Sequence, residues 1–276
     1  MKARRAGLAL AGVFSVCCAG VQANSGLERL SDRNALLGWE AVGKVDIGST
    51  GYCTGALIAT DLVLTAAHCV YDQQSGQAYP PERFTFRAGW REGKAIAERG
   101  IAAISAHPDY DPRQGPSPAQ VRVDAALLKL DQPIPAAVAS PFALHTGARA
   151  GERVSVVSYG QGRDSALSWQ RDCGLLDRRQ GLMAFDCDVT FGSSGAPVFV
   201  KEGSRARILS LVSTGGAEAQ GKRLSFGMEL PETVAELKRG LRVAGPAAGG
   251  ASGVRRIQVG QQDSERQQIG ARFIKP

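Results

Sequence analysis

Apolar and polar positions alternate over short stretches through most of the chain, from about Val42 to Met228. Gly, Pro, Asp and Asn separate stretches such as VGKVDI, GALIAT, RFTFRAG, RVSVVSYG, PVFV, RILSLVS and RLSFGM. A period of two predicts strands that bury one face, and turn residues between them predict short connections. Many short strands without helical patterns between them predict an all-β fold, a sandwich or a barrel.

One late segment has a helical period instead. Pro231 opens PETVAELKRGLRV, in which Val234, Leu237 and Leu241 fall on one face and basic residues lie near the end. Proline in the first turn and cations in the last turn are typical of helix termini. We therefore predict one C-terminal α-helix that packs against the β-rich body.

The two ends of the chain differ from this body. Residues 1–23 run from a cationic start through a short apolar stretch to Val-Gln-Ala, the pattern of a cleaved signal peptide. No later run reaches the roughly 18 apolar residues of a membrane span, so stable membrane insertion is not expected. We assign an optional pro-segment to residues 24–37, the folded domain to residues 38–244, and a Gly/Ala-rich linker with a flexible basic tail to residues 245–276.

Composition and charge narrow the function classes. The 276 residues are 43% hydrophobic and 21% charged, which is typical of globular proteins. Of the net charge of +7, the leader carries +3 and residues 246–276 another +3, which leaves +1 for the body. A nearly neutral body has no basic patch of the kind that binds phosphates, so nucleic acid is not an expected partner.

Removal of the leader leaves four cysteines, Cys53, Cys69, Cys173 and Cys187. In an exported chain this number predicts two disulfides, and export to the periplasm or to the external medium fits the leader equally well. A zinc site would require closer ligand pairs of the C-x-x-C kind. We expect no metal and no other cofactor.

Three motifs along the chain contain residue types that acyl transfer requires. They are LTAAHC ending at Cys69, VDAALLKL beginning at Val123, and FGSSGAPVF beginning at Phe191. Acyl transfer needs a nucleophile, a base, a group that orients the base, and donors for the oxyanion. Histidine, aspartate and serine in these motifs could supply the first three of these roles.

Together the motifs resemble those of the chymotrypsin/trypsin family of serine proteases. The resemblance spans about Ala41 to Arg242 and implies two six-stranded antiparallel β-barrels with a C-terminal α-helix. It also implies a catalytic triad, in which Ser194 is the nucleophile, His68 the base and Asp124 the residue that orients the base. Polypeptides are then the expected substrates.

The same resemblance assigns residues around the triad. The backbone N–H groups of Gly192 and Ser194 would form the oxyanion hole. Ser213, Thr214 and Gly215 correspond to the family's strand that pairs with an extended substrate. The resemblance places Ser213 near Asp124, and Thr214 stands in place of the usual aromatic residue. An ordinary strand end is the alternative for this segment.

Two departures from trypsin place the resemblance nearer to the bacterial glutamyl endopeptidase-like branch. Ser193 stands where trypsin has an acidic residue that pairs with the new amino terminus, and the segment from Gly38 lacks the Ile/Val-Gly-Gly start. The family pattern implies the disulfide Cys53–Cys69. The spacing of Cys173–Cys187 fits the bacterial branch as a second disulfide.

Substrate preference depends on Asp188, six residues before Ser194. In trypsin-like enzymes the residue at this offset lies at the bottom of the primary pocket, and an aspartate there pairs with Arg or Lys of the substrate. Glutamyl endopeptidases use a histidine in the strand that corresponds to Leu211–Thr214. This strand has none, so a preference for acidic side chains is not expected. We predict cleavage after Arg or Lys, with small or apolar residues, and a purely structural Asp188, as the alternatives.

Three functions remain open at this point. An active secreted serine endopeptidase keeps all three triad residues, as this chain does. A catalytically silent homologue that acts as a protein-binding module is the main alternative. An esterase would more naturally have a G-x-S-x-G elbow in an α/β pattern, which is absent. The oligomeric state is open, with a monomer as the default.

Overall fold

The computed structural model describes residues 26–147, 149–203, 205–219 and 222–244. The predictions for the signal peptide, the linker and the basic tail lie outside these ranges. Within them, no helix has both the length and the apolar character that a membrane span requires.

The first lobe is a closed antiparallel barrel. Its half of the chain contains β1 (Leu27–Arg29), β2 (Val42–Ile47), β3 (Tyr52–Ala59), β4 (Leu62–Thr65), β5 (Phe84–Ala88), β6 (Ala97–Ala106) and β7 (Ala126–Leu130). Six of them close in the order β2-β3-β4-β7-β6-β5. The period of two in the sequence explains the closed barrel. Alternate side chains, such as those of Val45 and Phe86, point inward and are fully buried.

The second lobe is a curved antiparallel sheet. Its strands are β8 (Arg153–Ser158), β9 (Ser168–Arg179), β10 (Leu182–Phe185), β11 (Pro197–Glu202), β12 (Arg205–Leu211), β13 (Thr214–Ala219) and β14 (Lys222–Met228). Their order is β12-β11-β8-β9-β10-β14-β13, and β1 pairs with β9 at the side. The predicted chymotrypsin-like, all-β fold class is confirmed.

The second lobe differs from the predicted six-stranded barrel. It has eight strands, and in the described ranges the path from β12 to β13 does not close. The reason lies at residues 212 and 213, where the chain leaves β12: the N–H of Val212 donates to Ala196, whereas that of Ser213 donates to Phe226. The chain therefore crosses to β14 instead of pairing β12 with β13.

Two α-helices accompany the strands in the part of the chain that the structure describes. The predicted late helix is α2 (Pro231–Ala244), which buries Val234 and Leu237 and brings Glu236 to 3.2 Å from His107. The other, α1 (Pro118–Val123), was not predicted because six residues are too short for a clear helical period. The sequence nevertheless contains a signal for its start: Ser117 is the N-cap residue, and its hydroxyl accepts the N–H of Gln120.

The residues before the predicted domain start pack on the body. β1 pairs with β9 through Leu27–Arg29, and the side chains of Leu30 and Leu36 are 1% and 3% exposed. Both leucines belong to the main apolar core. A domain that began at Gly38 would leave the surface beneath them uncovered.

Candidate active site

His68 lies on a short 3-10 turn, Ala67–Val70, that follows β4. The disulfide Cys53–Cys69 ties this turn to β3, and the neighbouring Ala66 and Ala67 are fully buried. The imidazole itself is partly exposed and lines a cleft of about 840 Å³ between the lobes. The buried alanines and the disulfide thus anchor the turn, while the ring faces the cleft.

Asp124 is the C-cap residue of α1 and lies two residues before the start of β7. Its side chain is only 5% exposed, yet three hydrogen bonds satisfy the carboxylate. The backbone N–H of His68 donates to Oδ1 at 2.8 Å, His68 Nδ1 lies 2.8 Å from Oδ2, and the Ser213 hydroxyl donates to Oδ2 at 2.5 Å. A buried carboxylate held in this way has a fixed direction.

The electrostatics of His68 follow from this pairing. Because a carboxylate only accepts, the proton of the ring is assigned to Nδ1, which leaves Nε2 free to accept another proton. Burial acts to lower the pKa of His68, but the charge of Asp124 and its hydrogen bond outweigh burial and raise this pKa above its ordinary value. His68 is therefore a stronger base than an isolated histidine.

Ser194 lies in the loop between β10 and β11 and lines the same cleft as His68. Two glycines shape this loop. Gly195 has φ +74°, and a Cβ there would lie 2.3 Å from Thr65 Oγ1. Gly192 has φ +90°, and a Cβ there would lie 2.4 Å from the Tyr52 ring. Among the described residues the Ser194 hydroxyl makes no hydrogen bond to His68, as is common before substrate binds.

The orientation of two peptide groups supports the predicted oxyanion hole. The Phe191 carbonyl accepts the N–H of Gln161 at 2.7 Å, and the Ser193 carbonyl accepts the N–H of Ala196 at 2.9 Å. In a trans peptide the N–H points away from the carbonyl, so the N–H groups of Gly192 and Ser194 are turned the other way. Neither has an acceptor within the described chain.

Thr54 is a supporting residue that the sequence analysis missed. It is fully buried, its N–H donates to the Ser194 carbonyl at 2.9 Å, and its hydroxyl donates to the Gly192 carbonyl at 2.8 Å. The same hydroxyl accepts the N–H of Tyr159 at 3.1 Å. In the sequence, only its position next to Cys53 sets Thr54 apart. That position does not reveal hydrogen-bond partners that lie more than one hundred residues away.

We expect Thr54→Val to lower kcat about tenfold and the free energy of unfolding by about 1–3 kcal/mol. The substitution keeps the shape but leaves the Gly192 carbonyl and the Tyr159 N–H unpaired in a buried place. Peptide hydrolysis and urea unfolding measure the two effects. Thr85→Val, in a barrel strand away from the cleft, is the control; equal effects from both variants would show that Thr54 has no special role.

The predicted substrate strand lies at the other side of the cleft. Thr214 and Gly215 begin β13, where they pair with Phe226 and Ser225 of β14. β13 is the last strand of its sheet, so its second edge is not used by another strand among the described residues. An extended peptide can add to such an edge through main-chain hydrogen bonds.

Asp188, on which the predicted preference for Arg or Lys depends, faces Arg223. It is not among the residues that line the cleft, whereas Arg223 is. The Asp188 carboxylate lies 3.4 Å from the Arg223 guanidinium, and its backbone N–H donates to the Gln170 side chain. The neighbouring cleft wall is formed by uncharged residues, Val189, Thr190, Val212 and Gly216.

The four cysteines form the two predicted disulfides, Cys53–Cys69 and Cys173–Cys187. The sulfurs of the first pair lie near His68, which brings three atoms of metal-binding type together. Because both sulfurs are bonded to each other, neither is the thiolate that a metal requires. This cluster therefore serves to hold the turn and not an ion.

Comparison with known proteins identifies relatives in sequence and in fold. The family model for the trypsin-like peptidase domain matches residues 53–205. A glutamyl endopeptidase from Bacillus licheniformis is 25% identical over 158 residues, which cover 57% of this chain and 48% of that protein. The chain thus spans about half the length of this relative.

A solved structure of a Glu endopeptidase in complex with MPD has the same fold. It superposes with a TM-score of 0.64 and covers 80% of this chain and 98% of its own, at 15% sequence identity. At that identity the likeness concerns the arrangement of strands, and the chemistry has to be argued from the residues of the cleft.

Proposed function

Because the chain belongs to the trypsin-like peptidase family, we propose that it is a serine endopeptidase with Ser194, His68 and Asp124 as its catalytic triad. The observation that carries this proposal is the chain of hydrogen bonds from Ser213 through Asp124 to His68. His68 lines the same cleft as Ser194. A silent homologue would have no need for a buried carboxylate aimed at a histidine.

The geometry supports a defined sequence of steps. His68 Nε2 accepts the Ser194 proton as the hydroxyl oxygen attacks the scissile carbonyl, and Asp124 stabilises the imidazolium that forms. The N–H groups of Gly192 and Ser194 bind the oxyanion, a role in which one donor contributes about 3 kcal/mol. His68 then protonates the leaving amine, and water hydrolyses the acyl-enzyme by the same route.

The open edge of β13 supports an extended polypeptide as the substrate. Main-chain pairing with Thr214 and Gly215 would fix the backbone next to Ser194. Phe191, 83% exposed on the rim of the cleft, is an apolar contact available to a substrate side chain. The experiment is incubation of the protein with a diverse peptide library, read by mass spectrometry, with and without a fluorophosphonate; cleavage that persists after inhibitor treatment would overturn the proposal.

The prediction of cleavage after Arg or Lys stays a prediction, and the contacts of Asp188 argue against it. The Asp188 side chain is 29% exposed and faces Arg223, whereas the Arg223 side chain is 59% exposed and lines the cleft. The charged side chain that does line the cleft at this end is a guanidinium. We propose instead that the pocket prefers an acidic side chain before the scissile bond, in keeping with the name of the Bacillus licheniformis relative.

We expect Arg223→Gln to reduce cleavage after Glu about tenfold or more while leaving cleavage after Leu nearly unchanged. The substitution removes one charge-assisted hydrogen bond to a carboxylate. Library profiling of this variant beside Arg207→Gln, which breaks an exposed ion pair outside the cleft, measures the effect. Wild-type cleavage after Arg or Lys that disappears in Asp188→Asn would restore the first prediction.

Export is part of the proposal. Two disulfides suit an oxidising compartment, either the periplasm or the external medium. The predicted leader is consistent with both.

A further inference from the structure

The residue before the nucleophile is buried in a polar environment. Ser193 is 0% exposed, and its hydroxyl donates to the Tyr159 carbonyl at 3.0 Å. The hydroxyl of Ser158 lies 3.2 Å away, and the guanidinium of Arg163 donates to Ser193 Oγ at 3.1 Å. A buried serine with this many partners has one fixed position.

The side chain of Arg163 points inward, toward the hydroxyl of Ser193. Its guanidinium also donates to the carbonyl and to the hydroxyl of Ser158, at 3.0 and 3.2 Å. Gly160 makes room for this path, because a Cβ there would lie 2.7 Å from the guanidinium carbon. Burial lowers the pKa of Arg163, and the charge of Asp188 acts in the opposite direction; an arginine nevertheless remains a cation.

The segment that carries Arg163 holds the nucleophile loop at a second point. The N–H of Gln161 donates to the Phe191 carbonyl and thereby sets the peptide whose N–H belongs to Gly192. Arg163 holds Ser193, whose carbonyl group shares its peptide with the Ser194 N–H. The two contacts thus flank the two proposed oxyanion donors.

We propose that Arg163 is a positioning residue that locks the oxyanion loop, an internal cation in the role that trypsin gives to a freed amino terminus. This inference rests on the proposed function. Ser193 lacks the carboxylate that would attract an α-amino group, and the hydrogen bonds of Arg163 occupy its hydroxyl instead. The loop is then set by folding alone, without cleavage of a precursor to release a clamp.

The test is a comparison of Arg163→Met and Arg163→Lys with wild type in the full mature chain. Arg163→Met keeps the length of the apolar stem and removes every donor. We expect kcat to fall about tenfold to a hundredfold with KM within about twofold, since the donors act on the transition state. Arg163→Lys should recover part of the loss, and added guanidinium ions at non-denaturing concentration should partly rescue Arg163→Met. Acetylation of the amino terminus should leave the wild-type rate unchanged.

Binding separates positioning from a merely structural role. A peptide aldehyde, whose tetrahedral adduct places an oxyanion in the hole, should bind to Arg163→Met more weakly by the factor lost in kcat. A product peptide that lacks its terminal carboxyl group, and so places no oxygen in the oxyanion hole, should bind equally to both. Arg153→Met, an exposed arginine paired with Asp172 away from the cleft, is the matched control.

Each outcome decides the question. Unchanged kcat in Arg163→Met, equal weakening of aldehyde and product, or loss of wild-type activity on acetylation would overturn the role of Arg163 alone. A wild-type protein that neither cleaves peptides nor reacts with a fluorophosphonate would instead overturn the proposed function, and this inference with it.

Discussion

Replacement of Ser194 by alanine is expected to lower kcat by about 10⁶-fold, the scale seen when a serine protease loses its nucleophile. In the proposed mechanism this hydroxyl forms the acyl-enzyme, so the variant lacks its nucleophile. The fold should be preserved, because the side chain is small and the loop is held through Thr54 and Ser193. KM should change little, since the main-chain contacts of the substrate remain.

The measurement is steady-state hydrolysis of a peptide chosen from the library, with thermal unfolding of both proteins as the check on folding. Ser31→Ala, at an exposed serine between β1 and β2, is a matched control for loss of a hydroxyl. If Ser194→Ala keeps more than a small fraction of the wild-type rate, another residue is the nucleophile.

Replacement of Asp124 by asparagine is expected to lower kcat about 10⁴-fold at neutral pH, because an amide no longer fixes the ring proton on Nδ1. It should also move the pH profile. In wild type the pKa of His68 is raised above its ordinary value, so kcat/KM should increase with pH through a point above about 6.5. Below that pH the ring is protonated and cannot accept the Ser194 proton.

In Asp124→Asn the burial of His68 remains while the charge that opposes it is gone. The acidic inflection should therefore move to lower pH even as the rate falls. The pH dependence of kcat/KM, measured for this variant and for the exposed Asp172→Asn, tests the shift. An inflection that stays in place when Asp124 is changed would assign it to a group other than His68.

The sequence predicted the parts of the site that local motifs carry. Each residue of the proposed triad stands in a short run whose neighbours explain its position: buried alanines before His68, an apolar strand after Asp124, and glycines around Ser194. The pairing of Ser213 with Asp124 came from the family resemblance, and the structure contains that contact.

The contacts that the sequence did not predict join side chains from distant segments. Asp188 meets Arg223, and Thr54 meets Gly192 across the boundary between the lobes. Such pairs depend on strand register and on the path of a long side chain, neither of which a single sequence fixes. The strand β1 was missed for a related reason, since its three residues gain their structure only by pairing with β9.

The most direct test of the account is covalent labelling of the mature protein by a fluorophosphonate, followed by mass spectrometry of the digested chain. The proposed triad predicts one adduct per molecule, located on Ser194, formed faster as His68 loses its proton and absent in Ser194→Ala. No adduct on a folded wild-type protein, or an adduct on another residue, would contradict the triad and favour the silent protein-binding homologue.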